Sequence, residues 1–210
     1  MENVHIFDHP LIGHKISYLR DKNTDTAKFR SIVEEVSLLM AYEVLRDLPT
    51  KDVQVETPLA MADCKRIDAE NVIIVPILRA GLGMVSGFEK LLPFVRIGHV
   101  GMERNEDTHE PRAYYYKMPR DIDKASIIVV DPMLATGGSA TATITYLKKN
   151  GAKNIKFVCL IAVEEGLQKL HTAHPDVQIY VAQKDPILND NAYIVPGVGD
   201  AGDRIFGTNV

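Results

Sequence analysis

The chain has 210 residues, 46% hydrophobic and 25% charged, long enough to bury a substantial core and ordinary for a soluble globular protein. Its 24 basic residues against 28 acidic ones leave a formal net charge of −4, which gives no overall basic footprint for nucleic acid. No apolar run approaches the roughly 18 residues that span a bilayer, and MENVHIFDHP at the start has neither the basic nor the apolar region of a signal peptide.

The first predicted element is an amphipathic helix over Thr26–Leu48. Phe29, Ile32, Val33, Val36, Leu39, Met40 and Val44 recur at three- and four-residue spacing, and Pro49 marks its stop. VIIVPIL (Val72–Leu78) reads as a buried strand, with a helix from Leu82 to Leu92 behind it. Ser126–Val130 is the next strand and Ala140–Lys149 its following helix, closed by Asn150-Gly151. Ile155–Val163 is a long strand, Glu165–Ala173 a helix and Val177–Ala182 a fourth strand. Cys64 and Cys159 have neither metal-site nor redox-pair spacing, so a reducing, cytoplasmic compartment is expected. No repeat, low-complexity tract or linker interrupts residues 1–210, which predicts a single domain.

Strands alternating with helices, and β-branched runs without polar interruption, predict an α/β fold with a mostly parallel sheet flanked by helices on both faces. Such sheets bind ligands in the crevice beyond the carboxyl ends of the strands. The unusual segments stand there: Arg79–Gly83, Asp131–Ser139 and Tyr193–Arg204.

In DPMLATGGSA, the small residues Ala135, Gly137, Gly138 and Ser139 leave backbone N–H groups open just before a helix amino end, and Thr136 and Ser139 add hydroxyls. That pattern suits a phosphate monoester. Asp131 at the strand end would be repelled by phosphate unless it holds ribose hydroxyls or Mg²⁺. A phosphorylated ribose satisfies both demands. A plain glycine-rich turn is the competing explanation. No Lys follows the second glycine, as a nucleoside-triphosphatase loop needs, and the dinucleotide spacing is missing.

In PILRAGLGM, Arg79 suits a second anion site or an ordinary surface ion pair. The polar stretch Gly101–Asp121, with Arg104, Arg112, Lys117 and Arg120, reads as a cationic flap or a solvated hairpin. The tail YIVPGVGDAGDRIFGTN carries glycines at 197, 199, 202 and 207, a backbone open enough to offer N–H and C=O groups to a nucleobase edge, or a segment that merely closes the fold. The seven histidines read as structural or surface residues, His109 at most as a flap residue, and Tyr114–Tyr116 as cross-strand packing in preference to a stacking platform.

From DHPLI to GDRIFGT, essentially its full length, the chain resembles the uracil phosphoribosyltransferases of the type I phosphoribosyltransferase fold. VVDPMLATGGS resembles the phosphoribosyl-pyrophosphate loop of that family, and YIVPGVGDAGDR its uracil-binding segment. The wider superfamily carries two adjacent acids where this chain has Asp131-Pro132, a mark of the uracil branch that leaves one carboxylate. The resemblance therefore implies no metal ligand from the loop, with Mg²⁺ arriving on the sugar pyrophosphate. It also implies a β-hairpin flap and a C-terminal base-binding segment. Phosphoribosyl pyrophosphate would be bound by Asp131, Pro132, Met133, Leu134, Ala135, Thr136, Gly137, Gly138 and Ser139, with Arg79, Arg104 and Asp200. Uracil would meet Ile194, Gly199, Asp200 and Ala201. The catalytic candidates are Asp200, Arg104 and Asp131, and Arg112 is a further contact for pyrophosphate.

What the resemblance implies is transfer of the 5-phosphoribosyl group to N1 of uracil, giving UMP and pyrophosphate in pyrimidine salvage. It further implies a homodimer or higher homo-oligomer and activation by GTP in some members, for which no segment supplies a site. A phosphoribosyltransferase for hypoxanthine or orotate is the rival within enzymes, opposed by the Asp-Pro pair and the GDAGDR tail. An RNA-binding attenuator of pyrimidine operons is the rival from another class. Spread basic residues, outnumbered by acids, oppose nucleic acid as a partner.

Overall fold

The computed structural model describes residues 1–67, 71–104 and 111–208, with backbone alone for 103, 104, 111 and 112. In chain order the elements are β1 (Val4–Ile6), α1 (Pro10–Arg20), α2 (Thr26–Val44), β2 (Thr50–Glu56), β3 (Met61–Ile67), β4 (Val72–Leu78), α3 (Leu82–Leu91), β5 (Arg96–Ile97), β6 (His99–Arg104) and β7 (Pro111–Lys117). They continue with β8 (Ser126–Val130), β9 (Met133–Leu134), α4 (Gly138–Lys149), β10 (Asn154–Val163), α5 (Glu164–Ala173), β11 (Gln178–Asp185), β12 (Ile187–Leu188), β13 (Ile194–Val195) and α6 (Ala201–Phe206).

The main sheet runs β1-β11-β10-β8-β4-β6-β7, parallel throughout except for β6 with β7. Its central strands β4, β8 and β10 are mostly apolar because both faces are covered. Val72, Ile74, Ile128, Val130 and Val158 point into one core layer with Phe29, Val36, Met40 and Phe88 of α2 and α3. Ile73, Val75, Ile127, Val129 and Phe157 point the other way, onto Ile144, Leu147, Leu167 and Leu170 of α4 and α5. The period-two alternation of a strand thus serves two helical layers at once.

The predicted sheet strands and helices are present, with two corrections. The amphipathic helix ends at Val44, not Leu48. Lys156, only 5% exposed on β10, donates from Nζ to the Val44 carbonyl at 2.6 Å and pairs with Asp47. A cation on the last carbonyls satisfies the helix end, and residues 45–48 turn away, Leu48 N–H donating to Leu45 C=O at 3.2 Å. That helix is also not the first. α1 starts at Pro10, in the N-terminal position proline favours, and the His9 ring Nδ1 accepts from Leu11 N–H at 3.1 Å as its cap.

The stretch from Gly101 supplies the arms of an antiparallel hairpin, β6 and β7. Residues 105–110, including His109, and the side chains of Arg104 and Arg112 lie outside the described residues. On the arms, Tyr116 meets Tyr146 edge-on with ring centroids 5.0 Å apart. The Tyr114 ring covers Gly101, where an added Cβ would lie 2.4 Å from it. The Tyr114 contact is the cross-strand packing expected of the tyrosines, whereas Tyr116 packs on α4.

Candidate active site

Asp131 follows directly on β8, its N–H bonded to Val158 C=O at 3.1 Å, and so projects beyond the carboxyl edge of the sheet. The chain does not leave the sheet at once. Met133 and Leu134 form β9 against Ile161 and Ala162 of β10, and the Pro132 carbonyl accepts from both Leu160 N–H and Ile161 N–H at 3.0 Å. Two residues of the predicted loop are therefore a short strand, and Leu134 is buried in the core. The freely presented backbone begins at Ala135.

Gly137 then takes φ +75° as the N-cap of α4, and a Cβ there would lie 2.9 Å from the Gly166 carbonyl. The left-handed turn and the close approach of α5 both call for glycine. α4 has no side-chain cap and no acidic residue in its first turn. Its ladder opens with Thr141 N–H to Gly137 C=O at 3.0 Å, so the N–H groups of Gly138, Ser139 and Ala140 fall outside the helical bonding pattern. They face a concavity of about 100 Å³ whose walls include Asp131, Ala135, Thr136 and Gly137–Ser139. Uncapped N–H groups at a positive helix end attract an anion.

A second cleft of about 240 Å³ adjoins the first. Its far wall is the C-terminal segment, with Tyr193, Ile194, Gly199, Asp200 and Ala201, and Ala80 closes one side. Asp131, Met133 and Ala135 belong to both walls, so the lone carboxylate stands at the junction. Asp131 stays partly open to the clefts. Burial of its carboxyl nevertheless pushes the pKa up to about 7, opposed by the Met133 N–H at 3.4 Å. The same carboxylate, after burial itself, pushes the adjacent Cys159 thiol well above its ordinary value. Asp131 is thus a poorly solvated acid that accepts a long hydrogen bond from Met133 N–H.

The sequence-predicted residues distribute unevenly around these clefts. Asp131 through Ser139 and the tail residues Ile194, Gly199, Asp200 and Ala201 come together as expected, Pro132 alone standing back from the walls. Arg79 is 62% exposed, with its guanidinium 3.8 Å from the Asp203 carboxylate, beside the cleft and not in its wall. The tail is more ordered than an open backbone frame. α6 occupies Ala201–Phe206, and Asp200 is its N-cap, accepting from Asp203 N–H at 2.8 Å. That correction has a visible signal, because Asp200 followed three residues later by Asp203 is a capping pattern. Tyr193 and Gly202, in the tail segment expected at the site but given no contact of their own, also line the cleft, and so does Ala192, which lies outside that segment. The turn that presents Tyr193 is held by Asn189, whose side-chain oxygen accepts from Asn191 N–H at 3.0 Å and Tyr193 N–H at 2.9 Å. The Asn-Asp-Asn run at 189–191 announces such a turn.

Among the described residues no three His, Cys, Asp or Glu side chains converge as a metal site, and none of the helices is long and apolar enough to cross a membrane.

The family model for uracil phosphoribosyltransferase matches residues 6–208. A curated uracil phosphoribosyltransferase from Staphylococcus aureus (strain Newman) is 59% identical over 208 residues, 99% of this chain and 100% of that protein. The solved structure of the AQ2163 protein from Aquifex aeolicus has a TM-score of 0.92 at 34% identity, over 99% of both chains. An adenine phosphoribosyl transferase from Trypanosoma brucei, in complex with AMP, pyrophosphate and ribose-5-phosphate, has a TM-score of 0.60 at 11% identity, over 91% of this chain and 88% of that one. That last likeness is one of fold alone.

Proposed function

The chain belongs to the uracil phosphoribosyltransferase family, and from that premise we propose how its two clefts divide the reaction. The protein is a pentosyltransferase that moves the 5-phosphoribosyl group of phosphoribosyl pyrophosphate to N1 of uracil, giving UMP and pyrophosphate. The observation that carries the division of labour is the shared wall: one carboxylate, Asp131, between an anion cradle and a cleft lined by backbone.

In this reading the 5-phosphate sits on the N–H groups and hydroxyls of Ala135–Ser139. The ribose hydroxyls donate to Asp131, and the base lies against Ile194, Gly199 and Ala201. Attack by uracil N1 forms the bond to ribose C1 as the bond from C1 to the pyrophosphate oxygen breaks, the electron pair leaving on pyrophosphate and the N1 proton passing to water or to the departing pyrophosphate. Positive charge develops on the ribose ring beside Asp131, which favours an ionised carboxylate at that point. Arg79, exposed beside the cleft, and Arg104 and Arg112 on the hairpin are assigned to the leaving group through the family resemblance. Asp200 is the acid nearest the base, but its role as the α6 cap supports orientation of the tail over proton abstraction.

Phosphoribosyltransferases use Mg²⁺ with phosphoribosyl pyrophosphate. The donor set, one carboxylate in the cradle and no converging cluster among the described residues, fits a metal that would enter bound to the pyrophosphate and neutralise its charge. Residues 1–210 form one domain in this reading, supported by a sheet that runs unbroken from β1 to β7. A homodimer or higher assembly, GTP activation and a cytoplasmic setting complete the proposal on family resemblance, and sedimentation with and without GTP tests the first two.

The test of the reaction is incubation with radiolabelled uracil, phosphoribosyl pyrophosphate and Mg²⁺. UMP forms with the wild type, and Asp131→Asn lowers kcat/KM by about ten- to hundredfold, the worth of one or two hydrogen bonds to a charged group. Undiminished turnover by the variant would refute the role given to Asp131.

A further inference from the structure

The tail that meets the base is held from behind by an ion pair outside both clefts. Arg20 ends α1 and Asp185 ends β11, the carboxylate only 3% exposed. The guanidinium grips the carboxylate with both arms, Nη1 to Oδ2 at 2.8 Å and Nη2 to Oδ1 at 2.5 Å. Each partner then reaches the same residue: Arg20 Nη1 donates to the Gly197 carbonyl at 2.9 Å, and Asp185 Oδ2 accepts from the Gly197 N–H at 2.9 Å. Gly197 itself has φ +57°, and a Cβ there would lie 2.1 Å from the Ile194 carbonyl, so the turn it closes is tight. One residue on, the Val198 carbonyl is taken by Arg204 Nη1 at 2.9 Å. The same guanidinium ties down the end of α1 through the carbonyls of Leu19 at 2.5 Å and Asp21 at 2.7 Å.

We propose that Arg20 and Asp185 are positioning residues for base recognition, fixing the direction of the backbone groups that Ile194, Gly199 and Ala201 present to uracil. The inference rests on the assignment of the tail as the base subsite. A backbone frame reads a base only through where its N–H and C=O groups point, and the peptide planes on both sides of Gly197 lie between Ile194 and Gly199. Holding both planes with one planar, bidentate fork sets that direction without touching the ligand. Stability alone is a weak reason for such a pair, since a desolvated ion pair contributes little over an apolar replacement. Its geometry, directed at the single glycine between the wall residues Ile194 and Gly199, is the better reason.

The test uses three variants of the whole enzyme, each checked for folding by circular dichroism and thermal melting. Arg20→Lys keeps the cation opposite Asp185 but lacks the fork. Arg20→Gln with Asp185→Asn removes both charges together, so that no buried charge is stranded. Gly199→Ala, at φ +74°, disturbs the base wall directly and serves as the control for the tail assignment. Arg20→Lys and the double variant raise the KM for uracil by about tenfold, roughly one misaligned hydrogen bond. They leave the KM for phosphoribosyl pyrophosphate within about twofold and narrow the preference for uracil over cytosine. Unchanged uracil KM and selectivity in folded variants, or equal rises in both KM values, would overturn the clamp even if Gly199→Ala behaves as expected. No effect of Gly199→Ala on uracil would instead overturn the tail assignment, and the clamp with it.

Discussion

Replacing Asp131 by asparagine should stabilise the ligand-free protein at neutral and alkaline pH while impairing catalysis. The carboxyl is raised from 3.8 to about 7, chiefly by burial. Between these values the folded chain binds more protons than the unfolded chain, so stability falls as pH rises from about 4 to about 7 and stays low above it. At about 1.4 kcal/mol per unit the full penalty is about 4 kcal/mol, and access of solvent from the clefts brings it to about 2–4 kcal/mol. Asparagine escapes this penalty. Its advantage over the wild type should therefore grow by about 1–3 kcal/mol between pH 5 and pH 8, a relative gain of several degrees in Tm for a chain of this size. Urea or thermal unfolding of both proteins at the two pH values, without substrate, measures it. An advantage that does not change with pH, or a variant less stable at pH 8, would show that Asp131 is well solvated and refute the electrostatic description of the junction. Such a cost at a functional carboxylate is the usual exchange of stability for activity.

Three other outcomes are expected. Cytosine reverses the donor and acceptor pattern of the uracil edge, so its kcat/KM should lie about 10⁴-fold or more below that of uracil, and comparable turnover would sink the backbone-frame account. Lys156→Met removes the cation on the Val44 carbonyl and should lower stability by about 1–3 kcal/mol in denaturant titration, with a neutral result showing that it does not hold the α2 end. Cys159 is buried with its thiol pushed well up, whereas Cys64 is partly exposed. Thiol reagents should therefore modify Cys64 readily and Cys159 only on unfolding, and fast labelling of both in the native protein would contradict the packing of β10.

The parallel sheet is legible in the sequence because β4, β8 and β10 are apolar on both faces, a pattern that needs no partner information. α1 was hidden because its cap is a histidine and its first residue a proline, which also reads as a helix stop. The end of α2 depends on Lys156, more than a hundred residues away, and no local pattern announces it. At the site, the glycines and hydroxyls of 135–139 and the strand-end acid carry their chemistry in the chain itself. By contrast, the wall contributed by Ala80, Ala192 and Gly202 depends on which loops the sheet order brings together. The clamp on Gly197 joins a glycine visible in the tail to Arg20 and Asp185, which carry no signal in the sequence, and only the fold makes them one device.

In the proposed reading one nucleotide spans the two clefts with its ribose at Asp131. A crystal structure with UMP bound tests it most directly. The phosphate should rest on the backbone of Ala135–Ser139, both ribose hydroxyls within hydrogen-bonding distance of the Asp131 carboxylate, and the uracil edge against Ile194, Gly199 and Ala201. UMP bound with its base away from the tail, or its ribose out of reach of Asp131, would contradict the account.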